Sequence, residues 1–278
     1  KKEQLEIYSS HENCVAFNAD DEVDGYCNHN LEVKGEDGKT KLNVYLVDSL
    51  TATLDGTCDH VHENQLEWYK NTRDRLKEEN GDYVPSVVFQ HIPVNEIYEL
   101  LVEVPKGTPN SAQGYRQWEG KFFTVNPEMV KIDERTFIGE TPSVPEENGG
   151  QFEVMNEKGD VFLMLFGHDH NNSFIGEYKG MKMGYTQGCG FNVYGPGKNR
   201  GVRLIDFNEE SPTDFVSTTL TVSDLDEFDT GNKLKYGFYT YAPTSVDSVK
   251  DIAKKKVLPV VAAASALYGV YKLIKKKK

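Results

Sequence analysis

Two hydrophobic segments of the chain end in histidine, the side chain that most often binds transition metals. The run VFLMLF is followed by Gly-His-Asp-His, so that His168 and His170 stand one residue apart. The run VVFQ is followed in the same way by His91. Imidazole nitrogen is a ligand for zinc and iron, and the glycine before the pair permits a tight turn. A lone histidine is usually a structural or surface side chain, but three at strand ends predict a metal site.

The elements that must position these histidines alternate between strands and helices, which predicts an α/β layered sheet. Open sheets of this class place ligands at the carboxyl ends of their strands. Residues 105–150 are rich in Gly, Pro, Asn and Glu and are predicted to form a long loop excursion. The other predicted elements are a β-hairpin over 32–50, a helix over 62–80, a strand ending at Gln90, a helix over Val94–Val104, a strand ending at Phe166, short glycine-linked strands to 206 and an edge strand over 215–222.

An ordered set of motifs carries a resemblance to a known family. The chain runs from DGYCNHNLEV through LVDS, QLEWYKNT and VFQHIP to GHDH and GYTQGCGFNVYG. This order resembles the second half of calcineurin-like metallophosphoesterases, and more narrowly their purple-acid-phosphatase-like branch, over residues 22–206. The fold that the resemblance implies is a layered β-sandwich flanked by helices, with the N-terminal part missing from this chain.

The resemblance also implies a cofactor and an activity. The family binds two metal ions (Fe, Mn or Zn) bridged by a carboxylate, and a metal-bound hydroxide hydrolyses phosphate mono- or diesters. By position, His91 and His168 would bind one metal and His170 the other. The remaining family ligands lie in DxH, GD and GNHD/E motifs, and none precedes His91 here. This chain would therefore supply part of a dinuclear site. The alternative is a catalytically degenerate, membrane-tethered binding module on the same fold.

Four further polar residues are weaker candidates for contact with the ligands or the substrate. Asp169 lies between two histidines and either orients one imidazole or turns the backbone. Asn171 and Asn172 follow the histidines, where they either contact a phosphate or serve as ordinary loop residues. Asp48 ends the LVDS strand and either supports the site or caps a turn.

Composition limits the partners that the chain can bind. Its formal net charge is -13, so its general field does not attract nucleic acid, and a phosphate-ester substrate needs a local cation. The four cysteines show no CxxC spacing, which favours reduced thiols over disulfides. The sequence predicts no specific protein partner.

The charge and hydropathy pattern divides the chain into three predicted units. Residues 1–210 form the metallophosphoesterase part, 211–253 an edge strand and acidic linker, and 254–278 a lysine-flanked hydrophobic tail. The apolar stretch Val257–Ile274 contains one charge, which predicts a membrane anchor, with an interfacial helix as the alternative. The chain begins without Met, so we expect a longer parent protein, with its catalytic domain on the extracytoplasmic side of the membrane.

Overall fold

The computed structural model describes residues 1–15, 17, 22–51, 57–225, 228–241 and 259. The α-helices are α1 (Lys2–Ser9), α2 (Glu63–Asn80), α3 (Gln151–Asn156) and α4 (Lys233–Tyr241). The strands are β1 (His29–Lys34), β2 (Thr40–Leu46), β3 (Ser86–Gln90), β4 (Leu101–Glu103), β5 (Ala112–Gln113), β6 (Phe122–Val125), β7 (Phe137–Ile138), β8 (Val161–Phe166), β9 (Asn172–Tyr178), β10 (Met181–Tyr185), β11 (Gly201–Asp206) and β12 (Val216–Thr221). Short 3₁₀ helices span Asn95–Leu100, Arg116–Trp118, Gly197–Asn199 and Val222–Asp224.

Seven strands form the main sheet, in the order β1-β2-β3-β8-β10-β9-β7. The four central strands β2, β3, β8 and β10 run parallel to one another, and β1, β9 and β7 pair in antiparallel fashion. Parallel strands need crossover connections, and α2 supplies the one between β2 and β3. The described chain is therefore a mixed α/β fold with a large sheet and flanking helices, as the sequence predicts.

Both faces of this sheet are covered, which explains why VFLMLF is hydrophobic throughout. All six residues of β8 are buried, as expected for a parallel strand between two layers. On one face, Met164 and Phe166 pack in a cluster with residues of α2 and α3. On the other face, Leu165 packs in a second cluster against Ile205 and Phe215, which belong to or flank the β11–β12 hairpin.

Helix α2 connects the sheet to the DHVH segment at 59–62. His62 is the residue before the first helical turn, and a capping box joins it to Gln65. The helix ends at Gly81 in the left-handed conformation, with a φ of 88°, which favours glycine because it has no Cβ. The helix predicted over 62–80 is confirmed.

The predicted helix over Val94–Val104 is wrong in its second half. A 3₁₀ helix covers Asn95–Leu100, and the chain then enters β4, which pairs with β6. The predicted excursion over 105–150 contains regular structure as well, because β5 also pairs with β6 in a three-stranded sheet. Each of these strands has at most four residues, so periodicity alone does not reveal them.

The C-terminal part of the described chain contains a hairpin and a helix. Strand β12 confirms the predicted edge strand and pairs with β11. Helix α4 lies inside the predicted acidic linker, and the division into three units remains a prediction. The predicted membrane anchor lies outside the described residues, apart from Pro259. None of the helices in the described ranges is both long and apolar enough to cross a bilayer.

A buried hydrogen bond between α2 and β8's start provides a test of this packing. The Tyr69 hydroxyl donates to the Asp160 carboxylate at 2.8–2.9 Å, and both residues are buried. We expect Tyr69→Phe to lower the free energy of unfolding by about 1–3 kcal/mol, since the carboxylate loses a buried donor. Urea denaturation measures the loss. Tyr8→Phe, at an exposed tyrosine, is the control, and equal effects of the two changes would contradict the assignment.

Candidate metal centre

His91 and His168 lie side by side because their strands are neighbours in the sheet. Strands β3 and β8 run parallel, with Gln90 opposite Phe166. The residues that leave these two strands therefore emerge at the same edge. The ring centroids of His91 and His168 are 5.1 Å apart.

Gly167 brings the two strand ends into close contact. Its backbone N–H donates to the carbonyl of His91 at 3.2 Å. A Cβ at this position would lie 3.2 Å from Nδ1 of His91, so a larger residue would crowd that ring. The glycine of the GHDH motif is thus needed for a close approach between strand ends, in addition to the turn that the sequence predicts.

His168 has an unusual backbone conformation that Asp169 supports. Its φ is 64°, in the left-handed region that non-glycine residues rarely adopt and that is concentrated at functional sites. Nδ1 of His168 lies 3.3 Å from Oδ1 of Asp169. This hydrogen bond, together with one to the Cys58 thiol, raises the pKa of His168 to about 10. A cation that binds this ring must therefore displace a proton.

Asp169 is itself fixed by two other parts of the fold. It is buried, and its Oδ2 accepts hydrogen bonds from the Tyr185 hydroxyl at 2.6 Å and from the backbone N–H of Ser143 at 3.1 Å. Tyr185 is the last residue of β10. Of the two roles that the sequence analysis left open for Asp169, these contacts are compatible with orienting the His168 ring, and both carboxylate oxygens have a contact.

His170 is oriented by the glycine-rich loop that follows β10. Its Nδ1 lies 2.8 Å from the carbonyl oxygen of Tyr194, and its ring stacks on the Tyr194 ring with centroids 4.4 Å apart. Arg200, whose side chain is fully buried, donates to the carbonyls of Gly190 and Val193 and so holds this loop. A hydrogen bond from one ring nitrogen to a carbonyl is the usual way in which a metal-binding histidine is oriented.

The three histidines line one cavity of about 410 Å³, together with Gln187 and the loop that begins at Gly188. His91 is the most exposed of the three. Desolvation of the ring by the surrounding protein lowers the pKa of His91, and the charges of His168 and His170 lower it further. A lower pKa keeps the imidazole in the neutral form that binds metals.

The pair formed by His91 and His168 fits a shared cation. Two imidazoles bound to one tetrahedral zinc at about 2.0–2.1 Å have ring centroids roughly 5 Å apart, which agrees with the 5.1 Å observed. The donor set is incomplete, however. Among the residues that the structure describes, no group of three or more His, Cys, Asp or Glu side chains is arranged to hold a metal ion.

The other predicted site residues have structural contacts. Asp48 accepts hydrogen bonds from the backbone N–H of Tyr26 and Leu50 at 2.8 and 2.9 Å, and it also contacts Lys1. This is the turn role that the sequence analysis left open for Asp48. Asn172 is fully buried, and its Oδ1 accepts from Gly139 at 3.1 Å.

Asn171 is partly buried beside the loop that contains Glu140. Its backbone N–H donates to Oε1 of Glu140 at 2.8 Å. Its own carbonyl accepts from the backbone N–H of Gly139 at 2.7 Å. These contacts fix the backbone of Asn171 and assign no partner to its side-chain amide.

Two residues at the site, Cys58 and Glu140, are not predicted by the sequence analysis. The Cys58 thiol contacts His168. None of the four cysteines, all of which the structure describes, forms a disulfide. Glu140 accepts from the hydroxyl of Tyr194 at 3.1 Å. Both lie far along the chain from the GHDH motif, and no local sequence pattern links them to it. The segment GYTQGCGFNVYG, which contains Tyr194, is connected with the site in the sequence only by its resemblance to the purple-acid-phosphatase-like branch.

Glu140 provides a test of the site's electrostatics. Burial raises its pKa from 4.5 to about 7, against the lowering effect of its hydrogen bonds. The pKa of Glu140 is higher in the folded state than in the unfolded state. Its contribution to stability is therefore greatest at low pH and is lost as pH rises from about 4.5 to about 7. Glu140→Gln removes this loss. We expect the variant to gain about 2 kcal/mol of unfolding free energy over the wild type between pH 5 and pH 8.

Chemical denaturation at the two pH values measures this difference. Glu128→Gln is the control, because Glu128 is exposed. A constant difference between Glu140→Gln and wild type at both pH values would show that Glu140 is already ionised in the folded protein.

Comparison with known proteins agrees with the resemblance in the sequence. No family profile matches the chain. The chain is 29% identical over 202 residues to probable inactive purple acid phosphatase 14 of Arabidopsis thaliana, covering 66% of the chain and 43% of that protein. The corresponding values are 28% over 207 residues for probable inactive purple acid phosphatase 29, with 68% and 46% covered. For probable inactive purple acid phosphatase 28, the identity is 25% over 194 residues, covering 66% of the chain and 42% of that protein. These two relatives are also from Arabidopsis thaliana. The chain thus spans less than half the length of these relatives, and the similarity supports a distant relationship to purple-acid-phosphatase-like metallophosphoesterases.

Proposed function

We propose that this chain forms part of a metal-dependent phosphoesterase, in which His91 and His168 hold one cation and His170 contributes to a second. The observation that carries the proposal is the 5.1 Å separation of the first two rings at adjacent strand ends. The third ring lines the same cavity. The family resemblance, rather than the geometry, is the reason to expect two Fe, Mn or Zn ions.

The hydrogen bonds that orient two of the histidine rings support this proposal. Asp169 bonds one ring and the carbonyl of Tyr194 bonds another, each at Nδ1. Hydrogen bonds of this kind orient the two rings, as outer partners do for metal-binding histidines. The left-handed φ of His168 is also in keeping with a site that maintains local strain.

The charge of the chain makes a cation necessary for binding a phosphate ester. With a net charge of -13, the protein repels an anion in its general field. Cations bound by the histidines would supply local positive charge and polarise the phosphoryl oxygen. The chain's own residues would then hold the cations and shape the cavity: the imidazoles bind the cations, and the loop from Gly188 to Val193 forms one wall.

The carboxylates around the site do not complete the ligand set. Both oxygens of Asp169 already contact Tyr185, Ser143 or His168. Acidic ligands supply the negative charge that holds two cations close together. We therefore propose that the missing carboxylate and amide ligands come from residues outside this chain, as the resemblance implies.

A second candidate function is a binding module that lacks catalysis. The observation in its favour is that the relatives are named as probable inactive phosphatases, a description that applies to those proteins. In this case the chain would bind at most one cation through His91 and His168, and a longer protein would not hydrolyse phosphate esters.

The histidines provide the direct test. We expect His91→Ala and His168→Ala each to weaken zinc or manganese binding by more than about 100-fold, because each removes a direct ligand rather than an outer partner. Isothermal titration of the 278-residue chain measures binding. We also expect both changes to abolish metal-dependent hydrolysis of p-nitrophenyl phosphate by the longer parent protein.

His11→Ala is the control for both measurements, since His11 is exposed. Wild-type turnover in either site variant would refute the assignment. Metal binding without hydrolysis by the parent would favour the binding module. Strong hydrolysis by the 278-residue chain alone would mean that it contains further ligands.

Two glycines on either side of Cys189 allow a matched test of His170. A Cβ at Gly188 would lie 3.0 Å from both Cβ and Cγ of His170, whereas one at Gly190 meets nothing closer than 3.9 Å. We expect Gly188→Ala to displace His170 and to weaken cation binding in the parent protein by about 10- to 100-fold. Gly190→Ala is expected to have less than about a twofold effect. Equal titration curves for the two variants would remove His170 from the ligand set.

A further inference from the structure

A second cavity adjoins the metal centre and shares His168 with it. It has a volume of about 180 Å³ and is lined by part of the 105–150 segment. Tyr115, Arg116 and Trp118 form one wall, and Pro142 and Val144 contribute apolar surface. An apolar cavity of about 150 Å³ is large enough to bind benzene. The space is therefore sufficient for one aromatic ring next to a ligand of the cation.

The aromatic wall of this cavity is built on a packed base. The ring of Trp118 stacks on Tyr98, with centroids 4.8 Å apart, and meets Phe123 edge-on at 5.6 Å. Tyr115, by contrast, is 62% exposed. An exposed tyrosine beside a fixed tryptophan offers aromatic surface that a planar ligand would cover.

Arg116 brings positive charge to this wall. Among the described residues that line the two cavities, it is the one Lys or Arg. Its guanidinium lies 5.2 Å from the ring centroid of Tyr115, and Nη1 is 3.3 Å from Glu146. Its φ is 53°, so the loop adopts an unfavourable backbone conformation at this residue, as loops at binding sites often do.

The cavity is also connected rigidly to the metal centre. The backbone N–H of Ser143, on the cavity wall, donates to Asp169, which in turn contacts His168. The Tyr98 hydroxyl donates to the carbonyl of Pro142 at 2.9 Å. The position of the aromatic wall is thus fixed relative to the histidine that both cavities share.

From these observations we infer that the cavity is a specificity subsite that binds the organic group of a phosphate ester carrying one aromatic ring. The ring lies against Tyr115 and Trp118, and Arg116 attracts the anionic phosphate. The inference rests on the proposed phosphoesterase function, because the phosphate itself would be held at the histidines. Esters without a ring would bind through the phosphate alone.

Binding of two phosphonates to the zinc-loaded 278-residue chain tests the inference without turnover. Phenylphosphonate carries the ring and methylphosphonate does not. We expect the wild type to bind phenylphosphonate about tenfold more tightly, through ring stacking and burial. Tyr115→Ala is expected to remove most of this preference and to leave methylphosphonate binding unchanged. Tyr115→Phe keeps the ring and is expected to keep the preference.

Two further variants separate charge and folding from ring recognition. Arg116→Gln is expected to weaken both phosphonates by a similar factor. Tyr8→Ala, at an exposed tyrosine distant in sequence, is the control and is expected to change neither. Isothermal titration measures all affinities, and the same ratio can be measured as kcat/KM for phenyl phosphate against glycerol phosphate in the parent protein.

The outcomes distinguish this inference from the proposed function. If methylphosphonate binds in a way that His91→Ala abolishes, but the wild type has no preference for the ring, the subsite is overturned and the phosphoesterase proposal stands. A preference that survives Tyr115→Ala also overturns the subsite. If neither phosphonate binds to the zinc-loaded chain, the subsite is overturned, whereas the phosphoesterase proposal is decided by hydrolysis of p-nitrophenyl phosphate by the parent protein and its His91→Ala variant.

Discussion

The parallel pairing of β3, β8 and β10 is the constraint on which the site depends. In this register Gln90, Phe166 and Tyr185 stand in one row across the sheet. The segments that follow these three residues must therefore leave the sheet at one edge. A slip of one residue would exchange the faces of a strand and bury side chains that now face the cavity. The covered faces of the sheet prevent such a slip, since Met164 and Leu165 pack into different hydrophobic clusters.

Two carboxylates link the segments around this edge through hydrogen bonds. Asp169 joins His168, the end of β10 and the loop at Ser143, and Glu140 joins Asn171 to Tyr194. Buried hydrogen-bonded networks specify one arrangement strongly, because leaving a member unpaired is costly. These hydrogen bonds hold the edge of the cavity in one arrangement.

The sequence predicts the parts of this site that arise from local patterns. Strand β8, helix α2 and the histidines at strand ends follow from hydrophobic runs, periodicity and capping residues. The small sheet formed by β4, β5 and β6 does not, because its strands are short and pair with residues far along the chain. The contact of Tyr194 with His170 spans 24 residues and depends on Arg200 holding a loop. Long-range packing of this kind overrides local propensity.

The position of Asp169 has a consequence for how such a site can diverge. This one carboxylate touches both the ring of His168 and the backbone of the segment that lines the smaller cavity. Insertions or replacements in that segment would be transmitted to the imidazole. Under the proposed function, affinity for the cation and choice of the organic group would therefore be coupled through Asp169.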